Sequence, residues 1–392
     1  MSDPGSDPSQ DSGPAILRAL APYLGGEGAI LLAVSGGPDS TALMHAAAAL
    51  RTGPLHVATV DHGLRPGSAA EAEGVARAAA GLGLPHHRLR WEGARPETGL
   101  QEAARAARYR LLAACAGAIG AGLLLTAHTR DDQAETVLMR FLAGSGLAGL
   151  AGMRPERALA PGLILARPFL GLPKSALVAW CEARGLAYLR DPSNADDRFG
   201  RARLRALMPA LAREGLSATR LARFAERAAR DEAALAAAAD RAFEDALRPA
   251  EPGRLSLDGA SVAALPEALA LRVIDRALDR AGGEGPRRLE RLERLVLDAL
   301  LPALRAGRPL RRTLRGLLIE ARGNRALTIR RAPRRRGTPE RAGPEAARAA
   351  GASELLGKGG PATYIGPECD DDPTASGKGP GAGNSHSPRM DR

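Results

Sequence analysis

At 392 residues the chain exceeds one ordinary domain of ~100–200 residues and can bury a substantial core, which excludes a disulfide-stapled mini-protein. Fifty-five basic residues against 44 acidic ones give a net charge of +11, and with Lys174, Lys358 and Lys378 the sole lysines, nearly all of that charge is arginine. No apolar run reaches the roughly 18 residues needed to cross a bilayer, and Cys115, Cys181 and Cys369 form no CxxC pair, so a non-membrane, unexported protein of the reducing cytoplasm is expected.

Taken in order, residues 1–13 are rich in Ser, Asp, Pro and Gly and are expected to be disordered. Apolar β-type runs then alternate with helical patterns. Ile30–Val34 precedes a helix from about Ser40; Leu55–Val60 and His87–Trp91 follow; a helix over 101–118 leads to Leu123–Thr126; a helix from Asp131 to Leu142 precedes Leu163–Ala166. Repeated strand-then-helix predicts an α/β fold with a Rossmann-like parallel sheet covered on both faces. After Asp191 the pattern turns helical. Between Ser217 and Leu247, Leu221, Phe224, Ala228 and Leu235 recur at near-helical spacing, an amphipathic arm able to pack on a neighbouring copy in a homodimer. A strand near Arg254, helices over 266–281 and 287–306, and a hairpin of Leu317–Arg322 with Ala326–Arg330 about Gly323-Asn324 complete a small α+β domain. The division expected is 14–215, 216–332 and a disordered tail over 333–392.

The most informative string is Ser35-Gly36-Gly37-Pro38-Asp39-Ser40, because a buried strand enters it and a helix leaves it. Glycines without Cβ let backbone N–H groups approach phosphate oxygens, and the helix directs its positive end to the same place. Ser35 and Ser40 add hydroxyls. Asp39 suits an anion seat only with a divalent cation between its carboxylate and the phosphates, which makes it the candidate metal ligand. The string is neither a Walker A loop nor a GxGxxG fingerprint. An ordinary turn with Asp and Ser capping the helix is the plainer alternative.

This loop resembles the SGGxDS loop of the N-type ATP pyrophosphatases, the PP-loop family. Further strings resemble the tRNA(Ile)-lysidine synthase branch of that family: Val60-Asp61-His62-Gly63-Leu64-Arg65 with Ser68 and Glu71, Glu102 to Tyr109, Thr126 to Thr136, Gly144-Ser145-Gly146-Leu147, Arg167-Pro168, and Asp191-Pro192-Ser193-Asn194 through Arg205. Residues 28–215 carry the resemblance. It implies a PP-loop ATPase fold of the adenine nucleotide alpha hydrolase type, and ATP and Mg²⁺ as reactants. The implied reaction is ligation of free lysine to C2 of the wobble cytidine in the CAU anticodon of tRNA(Ile), through an adenylylated cytidine.

On that footing Asp39, His128, Asp132 and Arg108 are the catalytic candidates. Asp131 and Glu135, four residues apart on one helix face, join Asp132 and His128 in a polar cluster at the carboxyl edge of the sheet. Asp132 is a candidate for the lysine ammonium or for a metal, His128 for a phosphate or the base. Asp61 and His62 are expected at the same edge, and Arg105 with Arg108 share a helix face. Arg201, Arg203 and Arg205, with Arg198 before them, are the candidates for the RNA backbone, since forked arginines suit phosphate. Ala202 stands where the family usually has Asn. Arg287-Arg288 and Arg311-Arg312 are weaker RNA candidates, and Arg330-Arg331 with Arg334-Arg335-Arg336 a candidate flexible tether. A PP-loop enzyme that thiolates tRNA and a non-catalytic RNA-binding protein with a degenerate loop are the alternatives.

Overall fold

The computed structural model describes residues 12–63, 67–92, 96, 99–189, 200–323 and 325–333. Leu64, Arg65, Asp191 through Arg198, Asn324, Arg334–Arg336, Cys369 and nearly all of both expected tails lie outside these residues.

The first elements are α1 (Ser12–Leu24), β1 (Ile30–Ala33), α2 (Pro38–Leu50), β2 (Leu55–Asp61), α3 (Ser68–Gly81), β3 (His86–Arg90), α4 (Leu100–Ala118), β4 (Leu123–Leu125), α5 (Arg130–Leu142), α6 (Leu147–Leu150), β5 (Glu156–Ala160), β6 (Leu163–Ala166) and α7 (Lys174–Glu182). Helix α1 starts inside the stretch expected to be disordered, because Ile16, Leu20 and Leu24, spaced four apart, form a buried stripe that outweighs the polar start. Helix α2 opens at Pro38, two residues before the expected Ser40: a proline in the first turn lacks an N–H that would go unused there.

The sheet runs β3-β2-β1-β4-β6-β5, parallel throughout except where β5 meets β6. Strand β1 is buried along its whole length, as the continuous apolar run Ile-Leu-Leu-Ala requires of a central parallel strand. Its successive side chains enter opposite cores. Leu32 joins Leu43, Phe169, Leu177 and Trp180, whereas Leu31 joins Tyr109, Leu112, Leu124 and Leu165. Both faces are therefore covered, as expected.

Compact units divide the chain at places other than 215. Described residues 12–132 and 153–189 form one unit, and 133–152 with 200–333 form another. The reason is packing that only folding reveals: Ala134, Val137 and Leu138 of α5 share a core with Leu204 and with Leu221 and Ala225 of the later helices.

The second unit adds α8 (Gly200–Arg213), α9 (Ala218–Ala246), β7 (Leu247–Arg248), β8 (Arg254–Asp258), α10 (Gly259–Ala264), α11 (Glu267–Arg280), α12 (Leu289–Leu295), α13 (Leu301–Arg305), β9 (Leu310–Leu314), β10 (Leu317–Arg322) and β11 (Ala326–Arg331). Its antiparallel sheet is ordered β7-β8-β11-β10-β9. The arm α9 is capped by Ser217, whose side chain accepts from the Arg220 N–H at 3.3 Å. Its apolar stripe is covered from within the same chain, Leu221 and Ala225 by α5 and α8, and Ala239, Phe243 and Ala246 by Val273 and Ile274 among others. Phe224, expected in that stripe, is instead 44% exposed. The helix expected over 287–306 is interrupted by a π turn at Val296–Leu300, next to Pro302, which has no N–H for the helical ladder. Among the described residues no helix is long and apolar enough to cross a membrane.

Candidate active site

In the first sheet the neighbours of β1 are β2 on one side and β4 on the other, so the chain order reverses between β1 and β4. Crevices of this kind, at the carboxyl ends of parallel strands, are where open α/β sheets bind ligands. The segment after β1 is Ser35–Ser40 and the segment after β4 is Thr126–Asp132. Sheet topology thus brings together the two strings that the sequence singles out.

The loop is shaped by its own hydroxyls. The Ser35 N–H donates to Ser40 Oγ at 3.2 Å, Ser40 Oγ donates to the Gly37 carbonyl at 3.1 Å, and the Thr41 hydroxyl donates to the Gly36 carbonyl at 3.3 Å. Ser40 is buried and works as a brace, while Ser35 is exposed. The two glycines have different tasks. Gly36 has φ +86°, and a Cβ there would stand 2.6 Å from Leu189 Cδ1, whose own N–H donates to the Gly36 carbonyl at 2.8 Å. A Cβ on Gly37 would meet only Ser35 Oγ, at 4.0 Å. Room for a Cβ is therefore found at Gly37, whereas Gly36 is required by its backbone conformation and by Leu189. Among the described residues the N–H groups of Gly36, Gly37 and Asp39 make no hydrogen bond, which leaves donors at a helix N-terminus for an anion.

Asp39 lies in the first turn of α2. Its Oδ2 accepts from the Lys174 ammonium at 2.5 Å, and its Oδ1 is buried without a hydrogen-bond partner among the described residues. Burial raises its pKa above the ordinary carboxylate value; Lys174 opposes that shift, and Asp132 and Asp131 add to it. A buried carboxylate oxygen without a donor fits a hard cation. No group of three or more His, Cys, Asp or Glu among the described residues could hold a metal unaided. Mg²⁺ does not need one, since it commonly takes one or two carboxylates together with substrate phosphates and water. These residues fit Mg²⁺ delivered with a nucleotide.

The polar cluster after β4 separates into distinct tasks. Asp132 Oδ2 accepts from the Thr129 N–H at 2.8 Å and its hydroxyl at 2.9 Å, and the Asp132 N–H donates back to Thr129 Oγ1 at 3.4 Å, a reciprocal cap on α5. Asp131 Oδ2 accepts from the Lys174 N–H at 2.7 Å. His128 is half-buried, with Nδ1 3.0 Å from Thr126 Oγ1. Glu135 does not join them: buried in the second unit, it is clamped by Arg205 Nε and Nη2, the latter at 3.1 Å.

At the end of β2, Asp61 is a structural carboxylate. It accepts from Ser68, from Arg88 at 3.0 Å and from the Gly63 N–H at 2.9 Å, which hold its pKa down at about 2. His62 meets Trp91 edge-on with ring centres 6.3 Å apart. Burial first and the Arg108 charge second lower its pKa, against the opposing charge of Asp61. Arg105 instead lies over the Tyr109 ring at 5.2 Å.

In the second unit, Arg201 and Arg203 lie on α8 with Arg205, and Ala202 between them is 6% exposed. Position 202 faces inward, so an Asn amide there would not reach a ligand from solvent. Arg205, expected on the RNA surface, has its fork engaged by Glu135. The Gly144-Ser145-Gly146-Leu147 string is organised by buried Arg140, which donates to the Gly149 and Gly152 carbonyls at 2.9 Å each.

Sequence reasoning missed Lys174, Thr129 and Leu189. The one available signal for Lys174 was a lone lysine among arginines.

A family model described as a PP-loop domain matches residues 14–211. The tRNA(Ile)-lysidine synthase of Methylobacterium sp. (strain 4-46) is 60% identical over 81% of this chain and 94% of its own length. That of Methylobacterium nodulans is 59% identical over 82% and 95%, and that of Rhodopseudomonas palustris 51% identical over 78% and 92%.

Proposed function

The chain belongs to the tRNA(Ile)-lysidine synthase family of PP-loop enzymes, ATP-dependent ligases that form lysidine on tRNA, and from that premise we propose a two-step reaction on the wobble cytidine of the CAU anticodon. Cytidine O2 attacks the α-phosphate of ATP, the bond to the β-phosphate oxygen breaks, and pyrophosphate departs. The amine of free lysine then displaces AMP from C2.

The observation that carries this reading is the switch-point loop, where among the described residues the N–H groups of Gly36, Gly37 and Asp39 and one Asp39 oxygen have no partner. Fixed donors of this kind stabilise charge that builds on a leaving group without reorganising. Mg²⁺ held by Asp39 would supply further charge neutralisation at the phosphates. His128 orients a phosphate or the base from the neighbouring loop. Asp132, with Asp39 and Asp131, gives the pocket the negative charge that draws the lysine ammonium. Arg108, whose charge acts on His62, faces the nucleotide or the base. Arg201 and Arg203 contact RNA backbone, and Arg205 acts through Glu135 by fixing α8. The small domain within 216–332 adds RNA contacts. The reducing cytoplasm is the setting expected of such an enzyme. Thiolation fits less well, because Cys115 and Cys181 are buried and the Cys181 thiol is pushed up to about 11, first by burial and then by Asp39.

The deciding experiment incubates the protein with ATP, Mg²⁺, labelled lysine and bulk tRNA. Label that becomes acid-precipitable only with ATP supports ligation; pyrophosphate release without lysine incorporation would overturn it.

A further inference from the structure

The peptide between Gly36 and Gly37 has no Cβ on either side, so its plane turns with less steric hindrance than a peptide between residues that carry side chains. A peptide is planar and trans, so its carbonyl and its N–H point in opposite directions, and holding one end aims the other. The Gly36 carbonyl is held twice, from outside the loop: the Thr41 hydroxyl donates to it at 3.3 Å and the Leu189 N–H at 2.8 Å. Among the described residues the Gly37 N–H at the opposite end makes no hydrogen bond, and a Cβ on Gly37 would meet nothing nearer than Ser35 Oγ at 4.0 Å.

We propose that Thr41 and Leu189 are positioning residues that fix the Gly36–Gly37 peptide with its N–H toward the pyrophosphate leaving ATP, and so set the rate of adenylylation without touching substrate. The proposal rests on the reading of Ser35–Ser40 as the phosphate seat. In that step the bond from cytidine O2 to the α-phosphorus forms, the bond from that phosphorus to the bridging oxygen breaks, and its electron pair leaves with pyrophosphate. No proton passes through either residue. A donor already aimed stabilises the growing charge without reorganising, whereas a peptide free to turn would present its carbonyl oxygen to the anion part of the time.

Local geometry separates this clamp from the ordinary use of threonine in a helix, where the hydroxyl returns to a carbonyl three or four residues back. The Thr41 N–H already takes the Gly37 carbonyl at 2.9 Å, shared with Ser40 Oγ at 3.1 Å. Its hydroxyl reaches one residue further, to Gly36, beyond the start of α2 at Pro38. One donor would satisfy the Gly36 carbonyl; the second comes from a distant segment. Side chains close in as well, since Leu189 Cδ1 and Val75 Cγ2 stand 2.6 and 3.1 Å from where a Gly36 Cβ would lie. The peptide that carries the Asp39 N–H is also held at its carbonyl end, where the Cys181 thiol of α7 donates to Pro38 at 3.5 Å.

The test compares full-length Thr41→Val, Thr41→Ser, Leu189→Pro and Gly37→Ala with the parent chain. Valine keeps the shape of threonine without the hydroxyl, serine keeps the hydroxyl, and proline at 189 removes the second donor. Three quantities are read: the ATP dependence of single-turnover pyrophosphate release with Mg²⁺ and tRNA(Ile) transcript, calorimetric affinity for inorganic pyrophosphate with Mg²⁺, and thermal unfolding. Thr41→Val is expected to slow release at saturating ATP about 10-fold, less than the ~10²-fold cost of losing a preorganised donor outright, because Leu189 still holds the carbonyl. Pyrophosphate affinity should weaken about 3- to 10-fold with it. Thr41→Ser should restore most of both, and adding Leu189→Pro to Thr41→Val should bring the loss in rate to about 10²-fold. Unchanged release and pyrophosphate affinity in a folded Thr41→Val protein overturn the proposal. So does a lowered unfolding temperature with the saturating rate intact, the mark of a merely structural bond. Gly37→Ala, which has room for its Cβ, separates the clamp from the reading beneath it. If it abolishes pyrophosphate binding while Thr41→Val alters nothing, only the clamp falls; if it leaves binding and release intact, the phosphate-seat reading fails first.

Discussion

Asp39 with Lys174 in the first unit, and Asp275 and Asp279 with Arg287 and Arg315 in the second, are both carboxylate–cation clusters, and burial raises the pKa of Asp39 and of Asp275 alike. Their satisfaction differs. Arg315 donates to Asp275 Oδ1 at 3.1 Å and Asp279 Oδ1 at 2.6 Å, while Arg287 holds Asp279 Oδ2 at 2.6 Å and stands 3.9 Å from Asp275 Oδ2. Every carboxylate oxygen there faces a guanidinium. The pairs also hold Arg315 at φ +52° in the two-residue turn between β9 and β10, where Leu314 faces Leu317. At Asp39 one oxygen is orphaned and the partner is a half-exposed lysine. A saturated cluster stabilises the fold; an unsaturated one at the mouth of a parallel sheet is equipped to take a ligand.

The largest effect that would sharpen this contrast is expected from Asp39→Ala. Pyrophosphate release should fall by about 10²–10³-fold or more, with tRNA affinity and unfolding temperature nearly unchanged. A marked drop in melting temperature would make Asp39 a structural carboxylate and erase the distinction. Arg315→Ala should do the converse, costing about 3–5 kcal/mol in denaturant unfolding because two carboxylates lose their buried partner. Equal stability of that variant would show that its cluster is not what holds the turn.

Asp61 tests the same contrast by pH. Its folded pKa, about 2, is depressed, so its contribution is present above the ordinary carboxylate range and disappears as pH falls toward 2. Asp61→Asn should cost about 1.5–3 kcal/mol at neutral pH, and the difference from the parent should shrink between pH 4 and 2. An acid profile parallel to the parent's would remove Asp61 from the saturated class. The smallest effect is expected from Arg201→Ala with Arg203→Ala, which should lower the salt slope of tRNA binding by about 1–2. Arg205→Ala should instead lower stability, since buried Glu135 would lose the guanidinium that clamps it; a pure change of salt slope would return Arg205 to the RNA surface.

Much of the fold was legible because its signals are local. The run Ile30–Ala33 is apolar throughout and could only be a buried strand, and Gly37-Pro38 announces the helix that follows. Where signals were short or indirect, reading failed. Helix α1 was hidden by the polar residues ahead of its stripe and β9 by the two arginines at its centre. The string Ser35–Ser40 stood out in the sequence, yet the different surroundings of Gly36 and Gly37 depend on Leu189, about 150 residues away, which no local string foretells.

By itself the sequence determined the parallel sheet, the glycine loop between β1 and α2, the acidic start of α5 and the family, because strand, turn and helix preferences are encoded in contiguous residues and in the order of motifs. Tertiary structure alone decided that Lys174 meets Asp39 across 135 residues and that Arg205 is taken by Glu135 across 70. It also decided that the second half of α5 packs with the later helices. Charge pairing and burial are properties of proximity, and proximity between distant segments exists only once the cores have closed.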